Sequence, residues 1–421
     1  MTELNNFRWQ QPRPRDTRCA LLIGEYMKKN ISFLIMLFIA VVLSACAKSG
    51  NMDNRAENHN QELQLPAKSL DVRMLAVPDK TDYENTSTIA EGYVYYLGDN
   101  GTVYQASIDD VNNPKAVFQL PGGNPYSSDG YAVSRLTNIN GKAIVKYHIG
   151  SASMGTDYAV ILHPDGSYEE LDNNYSSTVM VGENVIELVS GYPSHALRIR
   201  RKGEKEFTLF GDEGYIYGMY VQGATRYIGN SDLAAVGSDV YVLAQKCASD
   251  NEELNEVGLY KIDVETNETK RVFSDYQINH FKIYGEYIYF TDFSGFLYKA
   301  GILDNDAVRI ADVAMNTFFV VGEDIYYTPF NGINQSGGEQ KLFRLGEDNP
   351  LVPGCVLEWP EMNANINEGY LSCMLYELDS YPLRYKGIII GETGEAVVIE
   401  DSDVRYVTVY DGAIYVIVSK K

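Results

Sequence analysis

Ile278-Asn279-His280-Phe281-Lys282-Ile283-Tyr284-Gly285-Glu286-Tyr287-Ile288-Tyr289-Phe290-Thr291-Asp292-Phe293-Ser294-Gly295-Phe296-Leu297-Tyr298-Lys299-Ala300 decides the fold. Apolar, tyrosine-rich runs alternate here with glycine-containing breaks, the pattern of strands joined by tight turns. Residues 278–284 read as a first strand, 287–291 as a second, 296–300 as a third and 307–310 as a short fourth. The glycines have a physical task, because tight hairpins need positive φ, which a side chain resists.

Working outward, the glycine phrase recurs. It stands at Gly92-Tyr93-Val94-Tyr95-Tyr96, Gly237-Ser238-Asp239-Val240-Tyr241-Val242, Gly322-Glu323-Asp324-Ile325-Tyr326-Tyr327 and Gly412-Ala413-Ile414-Tyr415-Val416, with weaker copies at Gly141, Gly182 and Gly369. Neighbouring copies lie between 37 residues (Gly285 to Gly322) and 55 residues (Gly182 to Gly237) apart. A repeat of that length built from short strands predicts an all-β chain folded as a β-propeller. Eight copies predict eight blades, with seven as the alternative if a weak copy is misread. Residues 404–409 and 413–418 supply only two strands for the last blade. Residues 70–77 are expected to add an outer one, so that both ends of the chain close the ring and cover open edges. The second strands are apolar on both faces, as strands between two neighbouring blades should be.

The N-terminal part is different. Met27-Lys28-Lys29, the apolar run 31–43 and Leu43-Ser44-Ala45-Cys46 have the order of a secretory signal. The apolar run is too short to span a bilayer as a helix. Residues 27–45 are therefore expected to be a signal peptide. Residues 1–26 are polar, with Arg8, Arg13, Arg15 and Arg18, and are expected to be an extension ahead of the true start. Residues 46–68 lack apolar periodicity and read as a tether; residues 69–421 form the propeller domain. Leu43-Ser44-Ala45-Cys46 resembles the bacterial lipoprotein box. The resemblance implies that Cys46 carries acyl chains such as palmitate, that cleavage makes it the first residue, and that the protein is a cell-membrane lipoprotein facing out of the cytoplasm. Ala47 stands where the same resemblance would place an inner-membrane retention aspartate.

The repeat also resembles known propellers. Ile288-Tyr289-Phe290-Thr291-Asp292 with Gly295-Phe296-Leu297-Tyr298-Lys299 is similar to the Tyr-Trp-Thr-Asp repeat of low-density-lipoprotein-receptor propellers, and closer to bacterial lipoproteins of unknown function. Phe290 or Tyr327 replaces the family's tryptophan, and Pro329 its aspartate. The resemblance implies architecture, not receptor function. Gly258-Leu259-Tyr260-Lys261-Ile262-Asp263 is similar to quinoprotein-type and outer-membrane assembly propellers, whose blade tryptophans are missing here.

The chain carries 35 Lys/Arg against 57 Asp/Glu, a net charge of −22. Such acidity argues against nucleic acid as a partner. There is no Gly-x-Ser-x-Gly elbow, phosphate loop or His-Glu-x-x-His. The histidines 59, 148, 163, 195 and 280 are scattered over different repeats. No cysteine spacing fits zinc, and Asp304-Asn305-Asp306 and Asp99-Asn100-Gly101 are turn chemistry rather than calcium loops. No catalytic residue, metal or cofactor is expected. Cys355 and Cys373 either pair or stand as small buried side chains.

Loop length marks one face. The connections 121–130, 150–157, 211–226, 245–257, 330–340 and 352–364 are long and emerge together, opposite the tight turns. Binding residues ride on such loops. The expected ligand-binding face carries Tyr126, Tyr215, Phe330, Asn331 and Trp359, aromatic rings able to stack on a glycan or anchor a protein or peptide. The rivals are a surface polysaccharide hydrolase or lyase, with acidic residues at the channel, and an envelope-assembly or quinoprotein-like propeller.

Overall fold

The computed structural model describes residues between 71 and 419, apart from 79–85, 99–100, 122–134, 140, 152–153, 172–174, 190–195, 219–232, 247–256, 305, 331–339, 358–363, 379, 381–383 and 401–403. Cys46, the signal peptide and the tether lie outside the described residues.

The unit Leu65–Lys421 is an all-β propeller of seven hydrogen-bonded sheets. Sheet one contains Ser87–Ala90, Tyr93–Leu97, Thr102–Ser107 and Asp110–Gln119; sheet two contains Arg135–Ile139, Lys142–Ser151, Met154–Leu162 and Tyr168–Leu171. Sheet three contains Tyr175–Val181, Asn184–Val189, Ala196–Arg200 and Thr208–Phe210. Sheet four splits its first strand into Tyr215–Tyr217 and Leu233–Val236, followed by Asp239–Lys246, Val257–Asp263 and Thr269–Val272. Sheet five is six-stranded: Ile278–Tyr284, Tyr287–Asp292, Phe296–Gly301, Val308–Val321, Asp324–Pro329 and Phe343–Arg344. Sheet six has Cys355–Val356 and Ala364–Asn367, then Tyr370–Glu377, Tyr385–Ile390 and Ala396–Ile399. Sheet seven joins Val404–Tyr410 and Ala413–Ser419 to Val72–Val77.

The preference for eight blades is corrected to seven sheets, and the reason lies in sheet five. The fourth strand expected at 307–310 does not stop there. Val308 and Arg309 pair with Lys299 and Tyr298, and the same strand runs on until Val320 and Val321 pair with Ile325 and Asp324. Residues 311–316 contain neither glycine nor proline, so nothing breaks the strand between two copies of the repeat. Two copies therefore share one continuous sheet.

All eight phrase glycines have positive φ, between 58° and 79°. The two-residue turns are of two kinds. Glu91-Gly92, Glu368-Gly369 and Asp411-Gly412 have both residues at positive φ, the type I′ signature, whereas Gly182, Gly237, Gly285 and Gly322 come first in their turns, as type II′ requires.

The ring closes as expected, with one unexpected detail: Val72–Val77 lies parallel to Ala413–Ser419. Buried clusters stitch successive sheets together. Tyr95, Leu97, Val103, Ala143, Val145 and Val160 join sheets one and two, and Leu188, Leu197, Tyr217, Val240 and Tyr260 join three and four. Met374, Tyr385, Ile389, Val407 and Val416 join six and seven. Each fully buried side chain of this size contributes about 1.5–3 kcal/mol. Cys355 and Cys373 are both free and buried. Cys373 lies on the Tyr370–Glu377 strand, and Cys355, on the neighbouring Cys355–Val356 strand, stands opposite Glu377, four residues further along. That is about 13 Å at about 3.3 Å per residue, beyond disulfide reach.

Candidate functional site

First strands of neighbouring sheets contact one another: Ser87–Ala90 touches Arg135–Ile139 and Val404–Tyr410, Tyr175–Val181 touches Leu233–Val236, and Ala364–Asn367 touches Val404–Tyr410. First strands are thus innermost. Each runs from the loop end of the propeller down to a tight turn.

At the loop ends of these strands the alternation breaks in a regular way. Register shifts insert one residue at Ser176, Asn279, Asn316 and Arg405. Each stands six residues before the first turn residue of its copy (Gly182, Gly285, Gly322 and Asp411). A bulge repeated at one level re-aims the strand there. One step nearer the turn stand the polar residues Thr86, Arg135, Ser177, His280 and Thr317, and also Tyr406, which packs against the buried cluster at the closure of the ring. The inner strands therefore carry a polar band at their loop ends.

The band is tied into the frame. Asn316 Nδ2 donates to Gln340 Oε1 at 3.1 Å, and Thr328 Oγ1 donates to the same oxygen at 3.0 Å. Arg405 Nε donates to Ser419 Oγ at 2.8 Å. The His280 ring meets Phe318 edge-on at 5.3 Å. Just inside, the hydroxyls of Ser87, Thr88 and Thr291 are buried with bonding capacity unused among the described residues. Arg135 and Arg405 give the described band a positive bias within an acidic chain. Its groups donate and accept hydrogen bonds. No cluster of three His, Cys, Asp or Glu able to hold a metal occurs among the described residues.

Asp292, which carries the receptor-like resemblance, has a local task. Its Oδ1 accepts from the N–H of Ser294 at 2.9 Å and of Phe296 at 3.0 Å, and its Oδ2 from Tyr298 Oη at 3.4 Å. Burial, with Asp292 beside it, pushes the Tyr298 phenol up. Burial likewise pushes Tyr217 and Tyr326 up to about 12. These tyrosines stay neutral and act as packing groups.

Of the five face residues expected, Tyr126, Asn331 and Trp359 lie outside the described residues. Tyr215 and Phe330 are both half-buried and both at the loop end, on sheets four and five. Tyr215 pairs with Lys246, and its ring packs on Tyr260 at 4.9 Å and on Tyr217 at 6.2 Å. The Phe330 N–H donates to the Ala314 carbonyl at 2.9 Å. They share an end of the fold without forming one cluster. The polar band was missed, although counting back six residues from the first residue of each turn finds it in the sequence.

No protein-family model matches the chain, and no curated protein does. Among solved structures it is similar to Ika8, a computationally designed protein (11% identity over 82% of this chain and 98% of that one, TM-score 0.44). It is also similar to BamB from Moraxella catarrhalis (12%, 77% and 90%, TM-score 0.41). A third similarity is to PorZ, a surface component of the type-IX secretion system of Porphyromonas gingivalis (13%, 78% and 46%, TM-score 0.35). At these identities the likeness concerns fold alone.

Proposed function

We propose that this chain is a lipid-anchored extracytoplasmic binding module that engages a protein, peptide or glycan at the loop end of its propeller. The observation that carries the reading is the polar band: bulged Asn279, Asn316 and Arg405 beside Thr86, Arg135, His280 and Thr317, at the level where the long connections leave the sheets. Hydrogen-bonding groups set at one level of a rigid scaffold suit recognition of a polar ligand. The aromatic residues Tyr126, Phe330 and Trp359 on the connections would add stacking area. The anchor rests on the lipoprotein-box resemblance at Cys46.

Capture from native envelope, with and without Asn316→Ala plus Arg405→Ala, tests the site. Loss of about 2–3 kcal/mol of binding, roughly 30–150-fold, is expected from two hydrogen-bonding groups. Unchanged binding would remove the band from the reading, and turnover of a glycan would replace it with a hydrolase or lyase. Labelled palmitate should appear on the wild type and not on Cys46→Ser.

A further inference from the structure

Six seams of the ring are closed by a buried apolar cluster drawn from both of the sheets that meet there. The seventh, between sheets two and three, is built otherwise, and the register shows how. In sheet three Ile186, Leu188, Leu197, Ile199 and Phe210 belong to the cluster shared with sheet four. Successive side chains on a strand point to opposite faces. The alternate residues of the same ladder, Thr178, Met180, Glu187, Arg198, Arg200 and Leu209, therefore turn towards sheet two.

The large apolar members of that face are left uncovered, Met180 being 52% and Leu209 68% exposed. Its centre is charged: Glu187 is 1% exposed and paired with Arg198 within sheet three. On sheet two, Ile144 and Ala159 are buried, with Ile161 and Leu171 packed against them. A charged centre facing an aliphatic one gains little from close contact, because contact strips water from the ions. Among the described residues the bond from Arg200 to Glu169 at 3.1 Å crosses from one sheet to the other. Its side chains are partly exposed, so it is weak and screened by salt.

We infer that the ring opens at this seam. Sheets two and three part, with Arg200 and Glu169 as the latch, while the six apolar seams stay shut. Local openings draw on the least apolar contacts of a fold. A ring closed by strands from both chain ends would be expected to open at that closure first, yet Leu75, Val77, Tyr96, Tyr415 and Ile417 hold it together. Arg135 and Ser177 of the polar band stand on inner strands to either side of the seam, so parting widens the ring at the level of the candidate site. That consequence rests on the proposed function, whereas the opening itself does not.

Maleimide labelling of the native full chain tests this, read peptide by peptide by mass spectrometry and referred to the urea-unfolded chain. Ala159→Cys places a thiol on the seam face of sheet two, where the side chain is buried. Ala106→Cys does the same at the closure seam, and the natural Cys355 and Cys373 report on the seam between sheets five and six. The thiol at 159 should react at least about 10-fold faster than the other three. Raising salt from about 0.05 to 0.5 M should speed it by up to about fivefold, the worth of one exposed ion pair. Arg200→Ala should give that increase at low salt and abolish the response to salt. Glu187→Leu with Arg198→Leu, at unchanged circular dichroism, should slow the thiol at 159 to the rate at 106 by supplying the apolar contact. Equal rates at 159 and 106 without those changes overturn the proposal, since every seam would then open only in global unfolding. A fast rate at 159 that neither salt, Arg200→Ala nor the leucine pair alters overturns it in favour of loosening within sheet two. The expected rates uphold the opening whether or not the loop end captures a ligand.

Discussion

Two seams of the ring are built differently. Where sheet seven meets sheet one, Leu75, Val77, Ile89, Val94, Tyr96, Tyr415 and Ile417 form one buried cluster. Between sheets two and three no buried cluster spans the seam among the described residues; Ile144 and Ala159 pack only within sheet two. Among the described residues a tie across it runs from Arg200 of sheet three to Glu169 of sheet two at 3.1 Å, with Phe207 under the guanidinium at 5.1 Å. The repeat explains the contrast. Tyrosine occupies one fixed place in the second strand, as Tyr95, Tyr241, Tyr289, Tyr326 and Tyr415, and all five are buried. In sheets two and three that place holds Ile144 and Ile186, and the residue after Ile186 is Glu187, 1% exposed and ion-paired with Arg198. The two weak copies at Gly141 and Gly182 thus share a seam that relies on charge, whereas the third, at Gly369, holds Ser372 at that place and still packs apolar clusters against both neighbours.

The largest effect is expected at the closure seam. Tyr96 is 1% exposed and stacks on Tyr104 at 5.5 Å. Tyr96→Ala should cost about 3–5 kcal/mol by lost burial and an unfilled cavity. Urea denaturation checks this, and a loss below 1 kcal/mol would mean that the closure does not hold the ring. Next comes Glu187→Ala, which removes the carboxylate paired with Arg198. A charged hydrogen bond of this kind is worth about 1.5–3 kcal/mol. If the double change Glu187→Leu with Arg198→Leu restores stability, the pair stands in for an apolar contact that the repeat lacks here.

The same contrast accounts for how much was legible. Crisp copies give the strand at 278–284 to the residue, and the strands starting at Tyr287 and Phe296 to within one residue at their far ends. The turn glycines announced their own conformation, because only a handful of residues tolerate positive φ. Sheet number was not legible, because it depends on whether 311–316 bends, and strand propensity alone does not decide that. The polar band is hard to read in sequence because the repeat is marked by the apolar residues after each glycine, whereas the band lies before the turn. Its regularity appears only when Asn279, Asn316 and Arg405 are counted back from their turns. Tyr215 was read as a loop aromatic, yet it is followed by Ile216 and Tyr217 in a short strand, and its ring serves packing at the third seam.

Arg200→Ala should cost less than about 1 kcal/mol, since both partners are partly exposed. Its effect should shrink further in high salt, whereas the Tyr96→Ala effect should not. Equal salt response of the two variants would erase the distinction between the seams.

The smallest effect concerns Asp165, in the turn before the last strand of sheet two. Hydrogen bonds from the Ser167 hydroxyl and then the Ser167 N–H hold its carboxyl below the usual range. The turn is also gripped from sheet one, where Gln105 Nε2 donates to the Pro164 carbonyl at 3.0 Å and Lys115 Nζ to the Asp165 carbonyl at 3.1 Å. A carboxyl with a lowered folded pKa stabilises fully above its unfolded pKa, near 3.9, and the benefit disappears as pH falls through the folded value. Melting temperature followed downward from pH 5 should therefore drop less in Asp165→Asn than in the wild type. The backbone carbonyl ties to Gln105 and Lys115 do not titrate in that window and should survive in both. If the two acid limbs coincide, the Ser167 bonds contribute nothing to stability, and the sheet-one grip alone fixes this turn.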